Sequence, residues 1–217
     1  MRIIRQAAAI RRAFKRGGWF YGEVPVSELI TGNALASAIG LTAGTAQHSN
    51  EPWLHFELDG KTLYVAKKTY RFYISWNHIQ AVNAVYGSRT IVINGKTYKV
   101  RLLKGSATDP YVGGNGYDPV GAYGSEWNRL IYSVHNGVHS RAGNVTPPGT
   151  WPLYSDTDLL IDNTVGDGSF SWCQETSASD STLRVRRGSG GLTFLGLNRA
   201  SEFSTYSGWR PVLELVE

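Results

Sequence analysis

Residues 168–217 read GSFSWCQETSASDSTLRVRRGSGGLTFLGLNRASEFSTYSGWRPVLELVE, and the reading of this stretch decides the fold. LRVRRGS (183–189), LTFLGLN (192–198) and RPVLELV (210–216) are each the length of a short strand, and none carries a helical repeat. In GSFSWCQE, Phe170 and Trp172 stand two apart and share one strand face. Gly188, Gly190 and Gly191 predict a turn that uses positive φ. Pro211 lacks a backbone donor and marks the first residue of the last strand, or an edge. Arg210, between Trp209 and Pro211, is placed to donate to loop carbonyls or to a buried acid, which makes it a structural residue.

Working outward, the 217 residues suffice for one large or two small domains with a real core. Seven Trp, twelve Tyr and 25 Gly against one Met predict many tight turns and few long helices. No apolar run approaches the roughly 18 residues of a membrane span. The opening MRIIRQAAAIRRAFKRGGWF is basic with a short apolar patch, unlike a signal peptide. Cys173 is the only cysteine, which excludes an intramolecular disulfide and a multi-cysteine metal site and suggests a chain made in a cytoplasm. Charge is uneven. Residues 1–105 hold fifteen Lys/Arg and five Asp/Glu (+10); residues 106–217 hold seven and twelve (−5). A basic front half suits nucleic acid or an acidic protein surface, but a solvated lysine-rich hairpin face explains it as well, and nucleic acid is not expected as a partner.

The expected class is α+β. Residues 1–20 read as a basic arm carrying Arg2, Arg5, Arg11, Arg12, Lys15 and Arg16, the residues that would dock it to a particle. Ile3, Ile4, Ala7, Ile10 and Phe14 fall near one helical face, too few to hold a helix alone. The arm either orders against something else or is simply a disordered terminus. Residues 21–105 read as a small α+β docking module. LHFELDGKTLYVAKK (54–68) and TIVINGKTYKVRLLKG (90–105) are hairpins turning at Asp59-Gly60 and Asn94-Gly95. SELITGNALASAIGL (27–41) predicts a helix capped by Ser27, and SWNHIQAVNAVYG (75–87) one capped by Ser75 and ended by Gly87. Residues 106–217 read as a loop-rich domain. It opens on a Gly/Pro/Asp-rich loop (106–124), continues with a helix from the Ser125 cap to Asn136-Gly137 and a second loop around Pro147-Pro148-Gly149, and ends in short strands that include DLLID (158–162).

In the closing stretch, Phe170 and Trp172, then Arg184-Val185-Arg186-Arg187-Gly188-Ser189, then Asn198-Arg199-Ala200-Ser201, then Gly208-Trp209-Arg210 follow a recognisable order. This order resembles the end of the formylglycine-generating-enzyme (sulfatase-modifying factor) group over about 50 residues. The resemblance implies a C-type-lectin-like domain over 106–217, a fold that phage tail and receptor-binding proteins also use. GSEWNRLIY and the front half look like parts of tailed-phage virion structural proteins. What this implies is a virion protein, oligomeric, decorating or attached to capsid, collar or tail, with other virion proteins as partners and a host-surface glycan or protein as receptor. An assembly or scaffolding component without external ligand is the alternative; an enzyme of the sulfatase-modifying type, or a secreted lectin, is a further one.

The chemistry of that group needs paired cysteines, or copper held by them, and this chain has one. No catalytic residue, metal or cofactor is therefore expected. Cys173 follows Trp172 on a strand and is expected in the core. His135 and His139 are four apart, but Asn136-Gly137 breaks the helix that would align them on zinc, and no acid in their sequence context is set to orient them. Asp156, Asp158, Asp162 and Asp167 match no EF-hand and read as solvated loop acids, with calcium the alternative. GGNGYD (113–118) lacks the Lys-Ser/Thr of a phosphate loop. Lys61, Lys67, Lys68 and Arg71 alternate with Tyr64, Tyr70, Phe72 and Tyr73, but on hairpins such aromatics go to the core rather than to single-stranded nucleic acid. Ligand contacts are expected from Trp151, Tyr154, Glu175, Asn198 and Tyr206, aromatic and polar groups on or near the loops that a lectin-like fold presents.

Overall fold

Both predicted hairpins form, and for the predicted reason. Asp59 (φ 52°) with Gly60 (φ 78°), and Asn94 (φ 49°) with Gly95 (φ 78°), hold the paired positive φ angles that match hairpin twist. They join β3 (Trp53–Leu58) to β4 (Lys61–Ala66) and β6 (Tyr86–Ile93) to β7 (Lys96–Arg101) in a computed structural model that describes residues 19–117, 124–137, 153–164 and 166–216. The fold is mixed α+β and mostly sheet.

The first sheet has the order β1-β3-β4-β13-β7-β6, where β1 is Trp19–Val24 and β13 is Val212–Leu215. The strand nearest the end of the sequence thus fills the middle of a sheet otherwise built from residues 19–101. The second sheet runs β2-β5-β12-β9-β10-β11-β8. Its strands are β2 (Thr45–Ala46), β5 (Arg71–Phe72), β8 (Gly116–Tyr117), β9 (Phe170–Thr176), β10 (Leu183–Gly188), β11 (Phe194–Arg199) and β12 (Ser207–Trp209). Stretches 21–105 and 106–217 therefore share both sheets. The sharing has a backbone cause: the chain passes from one sheet to the other between Ala66 and Arg71 and again between Trp209 and Val212. The two crossings run side by side, with Tyr70 N–H donating to Trp209 C=O and Ala66 N–H to Pro211 C=O. Pro211 sits just before β13, where its missing donor costs the ladder nothing.

Four helices surround the sheets among the described residues: α1 (Gly32–Ile39), α2 (Trp76–Ala81), α3 (Glu126–Val134) and α4 (Asp156–Leu159). Ser75 and Ser125 cap α2 and α3 as expected. Ser27 does not cap α1. Thr31 does, its hydroxyl accepting from Ala34 N–H, because Gly32 must lie against Tyr70, where a Cβ would come within 2.5 Å of the ring. α2 stops at Val82, not at Gly87, which instead takes φ 84° at a bulge in β6. DLLID is not a strand: Ser155 and Asp158 form a capping box that starts the single turn of α4, and Leu160 (φ 51°) ends it. The loop expected at 106–124 contains the short β8, which pairs with β11.

The core divides into two large clusters and a small one around Cys173, Val185 and Leu195. Trp53, Trp172 and Trp209 fill one side with Leu35, Ile79 and Val100; Phe56, Trp127, Leu130 and Val212 fill the other. The predicted Arg-Gly turn is where the chain needs it. Gly188 has φ 95°, and a Cβ there would meet Ser169 C=O at 2.4 Å. Gly191 is also positive, but the third such residue is Ser189 (φ 61°) rather than Gly190.

Candidate functional site

Two of the closing motifs, those of Arg187 and Arg210, meet at Trp127 of α3. Arg187 and Arg210 each place their guanidinium 5.8 Å from its ring, Trp127 Nε1 donates to Leu192 C=O (2.8 Å), and Arg187 donates to Asn128 Oδ1 (2.7 Å). Arg210 is fully buried. It donates to Ser171 Oγ (2.9 Å) and to the carbonyls of Ala66 (3.0 Å), Lys67 and Leu159, clamping the two side-by-side crossings at Ala66–Arg71 and Trp209–Val212. Burial pushes its pKa down to about 9, so it stays charged at neutral pH. This is a structural joint, as its position between Trp209 and Pro211 foretold.

Groups that could have been reactive are committed inside the fold. Cys173 is fully buried, and burial holds its thiol protonated by pushing its pKa well up. His135 does have an acid. Its Nδ1 accepts from Gly137 N–H (2.9 Å), which leaves Nε2 to donate to Asp156 Oδ1 (3.0 Å), and the ring is inaccessible. Asp156 comes from α4, distant in sequence, so local context could not reveal it. His139 lies outside the described residues. Asp158 caps α4, and Asp162 accepts from Thr164 N–H (2.8 Å) and Oγ1 (2.7 Å). Among the described residues no group of three or more His, Cys, Asp or Glu is arranged to hold a metal ion. The interleaved lysines form ion pairs: Lys61 with Glu214, Lys67 with Glu23 and Lys68 with Glu51. Of their aromatic neighbours, Tyr70 is buried, Tyr64 and Phe72 are half-buried, and Tyr73 is exposed.

The expected ligand contacts do not come together. Tyr154 is buried, its hydroxyl donating to Glu23 Oε1 (2.8 Å) under Lys67, and its pKa is raised by burial and by Glu23. Glu175 is buried beneath Gly105, whose N–H it accepts at 3.0 Å; burial raises its carboxyl to about 7. Asn198 is half-buried on β11, and Tyr206 is 45% exposed in the turn before β12. Trp151 lies outside the described residues, as do all six arm cations from Arg2 to Arg16.

The surface offers a different constellation beside Tyr206. Tyr73 is 47% exposed at φ 54°, a backbone region that a bulky residue rarely adopts. Its ring meets Phe203, 45% exposed, edge-on at 4.9 Å, and the His78 ring lies 6.2 Å from Phe203. His78 Nδ1 completes the Ser75 capping box, which leaves Nε2 facing outward. Next to this ledge is a shallow depression lined by Asn77, Asp180, Thr182, Arg199, Ala200 and Ser201, fixed in place by Asn77 N–H donating to Ala200 C=O (3.0 Å). Deeper along the same sheet, Arg186 stacks over Phe170 at 4.0 Å and donates to Ser207 Oγ (3.0 Å). Tyr73 and Phe203 lie in separate loops and His78 lies on α2; the signal that could have found Phe203 is its type, a large ring in the otherwise polar stretch 201–205. Compared with known proteins, the chain matches no family model, no curated protein and no solved structure.

Proposed function

We propose that this chain is a non-enzymatic structural component of a tailed-phage virion, its closing part a C-type-lectin-like domain that grips a host-surface glycan or protein. The resemblance of the closing motifs supports the virion and the lectin-like parts of this reading. The observation that carries the binding part is the ledge of Tyr73 and Phe203 beside a polar depression. Ring faces take up the C–H face of a sugar, while Asn77, Asp180, Thr182 and Arg199 offer donors and acceptors to its hydroxyls. The depression is too open to enclose a small apolar ligand, so single contacts are weak and many copies on one particle would supply the hold. The arm would bind neighbouring virion proteins through its cations.

A glycan array and host-cell adsorption, both read with multimerised protein, test this. Binding should fall at least tenfold, the loss of about 1.4 kcal/mol, in the Tyr73→Ala, Phe203→Ala variant while its unfolding midpoint stays within a few tenths of wild type. Binding unchanged by both substitutions removes the ledge from the reading. No adsorption at high valency favours the scaffolding alternative, in which the same loops contact other virion proteins.

A further inference from the structure

Away from the ledge, the first sheet ends at β6, whose outer edge is open over Thr90–Ile93. The Asn94-Gly95 turn fixes which backbone groups face outward. In a two-residue hairpin the flanking residues, here Ile93 and Lys96, bond each other; alternation then turns Ile91 inward and Thr90 and Val92 outward. Thr97, opposite Val92, has the matching parity, since its carbonyl accepts from Val216 N–H (2.9 Å) on the far side of β7. The outward N–H and C=O groups of Thr90 and Val92 meet no partner among the described residues. The side chains do not defend the edge either. Thr90 is exposed, Val92 is 70% exposed and Ile91 is half-buried, and this β-branched run carries no charge, proline or bulge. The opposite edge, β1, is broken by a bulge between Phe20 and Gly22 (φ 110°), which turns it away from such pairing.

We infer that β6 pairs with β6 of a second copy, antiparallel about a twofold axis through Ile91, so that two six-stranded sheets join edge to edge. The open groups set the register. Thr90 and Val92 of one copy exchange N–H and C=O with Val92 and Thr90 of the other, about four backbone hydrogen bonds in all. Ile91 then lies against Ile91 across the axis and Thr90 beside Val92, β-branched pairs of the kind that stabilise neighbouring strands. Arg89, the charge that ends the run, falls opposite Ile93 of the copy, so no like charges face each other. This self-match singles out a second copy over a foreign strand, since the same four residues supply both halves of the contact. With about 13 Å of strand on each side, at 3.3 Å per residue, the contact is small and the dimer weak. This inference stands apart from the virion reading and survives its failure.

The test is sedimentation velocity of the full chain over a dilution series, which should show a monomer–dimer equilibrium. Val92→Lys should raise its dissociation constant about tenfold or more, because the two lysines become diagonal neighbours across the axis. Val92 lies outside the core, so the unfolding midpoint should not move. Val92→Glu should weaken the dimer likewise, and an equimolar mixture of the two variants should recover it as a lysine–glutamate pair. Mild oxidation of Ile91→Cys should give a disulfide-linked dimer, since position 91 meets itself and Cys173 is buried. Val92→Cys, more exposed but offset from its copy, should link severalfold more slowly. A chain monomeric at every concentration, or a dimer indifferent to both charges, would overturn the proposal. So would weakened variants that fail to rescue each other, or faster linkage at 92 than at 91.

Discussion

Two buried arginines hold this molecule together in opposite ways. Arg101, on β7, lies in a cage of carboxylates: Glu126 takes both terminal nitrogens (2.7 and 2.9 Å) and Glu214 takes Nε (2.8 Å). Burial alone would lower its pKa, but Glu126 and Glu214 outweigh burial and raise it. Arg210 lies in a cage of carbonyls and one hydroxyl, and burial dominates. Coulombic pairing anchors α3 to the first sheet; neutral acceptors anchor the two sheets to each other. The first joint is sensitive to pH, and the second is sensitive to any loss of donors.

The largest effect should come at the carbonyl cage. Arg210→Met leaves several buried acceptors unpartnered and should cost about 4 kcal/mol, read from the shift in urea midpoint, with no relief on acidification. Arg101→Met should cost about 3 kcal/mol at pH 7, since it orphans two carboxylates, and here acid should help. In the wild type Glu214 is held below its ordinary pKa, because Lys61 and Arg101 outweigh the burial that raises it. Its contribution is present above the unfolded value and is lost as pH falls through the folded one. Without Arg101 the burial that raises Glu214 weighs more, Glu214 takes up a proton on folding, and the deficit should shrink between pH 7 and pH 4. A deficit that is flat with pH would dissolve the contrast between the two cages.

Glu175 is a third buried charge, with no cation partner among its contacts. Its raised pKa, about 7, means the native state keeps a proton that the unfolded chain loses near 4.5, so stability should fall by about 3 kcal/mol from pH 4.5 to 7. Glu175→Gln should remove most of that slope in equilibrium unfolding followed at several pH values. The smallest effect belongs to Lys61→Met: its side chain is 57% exposed, so its pair with Glu214 should be worth no more than about 0.5 kcal/mol.

Much of the local structure was legible. Asp59-Gly60 and Asn94-Gly95 wrote the hairpins, Ser75 and Ser125 wrote two helix starts, and the strands around Trp172, Val185 and Leu195 lie where alternation put them. The misses share a cause, which is distance along the chain. Thr31 replaced Ser27 as a cap because Tyr70 presses on Gly32; DLLID is the exception, turned helical by a local capping box between Ser155 and Asp158 that the spacing could have shown. Nothing near His135 announced Asp156, and nothing near Arg101 announced Glu214, 113 residues away. Of the expected ligand contacts, Tyr206 stands exposed as its place in a turn suggested, whereas the Tyr73–Phe203 contact escaped because the two meet only once the sheets have assembled.

The placement of β13 has a consequence in time. Val212–Leu215 pairs with β4 on one side and β7 on the other, so until it emerges from the ribosome the first sheet is divided into β1-β3-β4 and the β6-β7 hairpin. Contacts of such long sequence separation form slowly, and two strand edges wait unpaired meanwhile. The nascent chain is therefore most vulnerable to wrong association in the interval before Val212–Leu215 emerges.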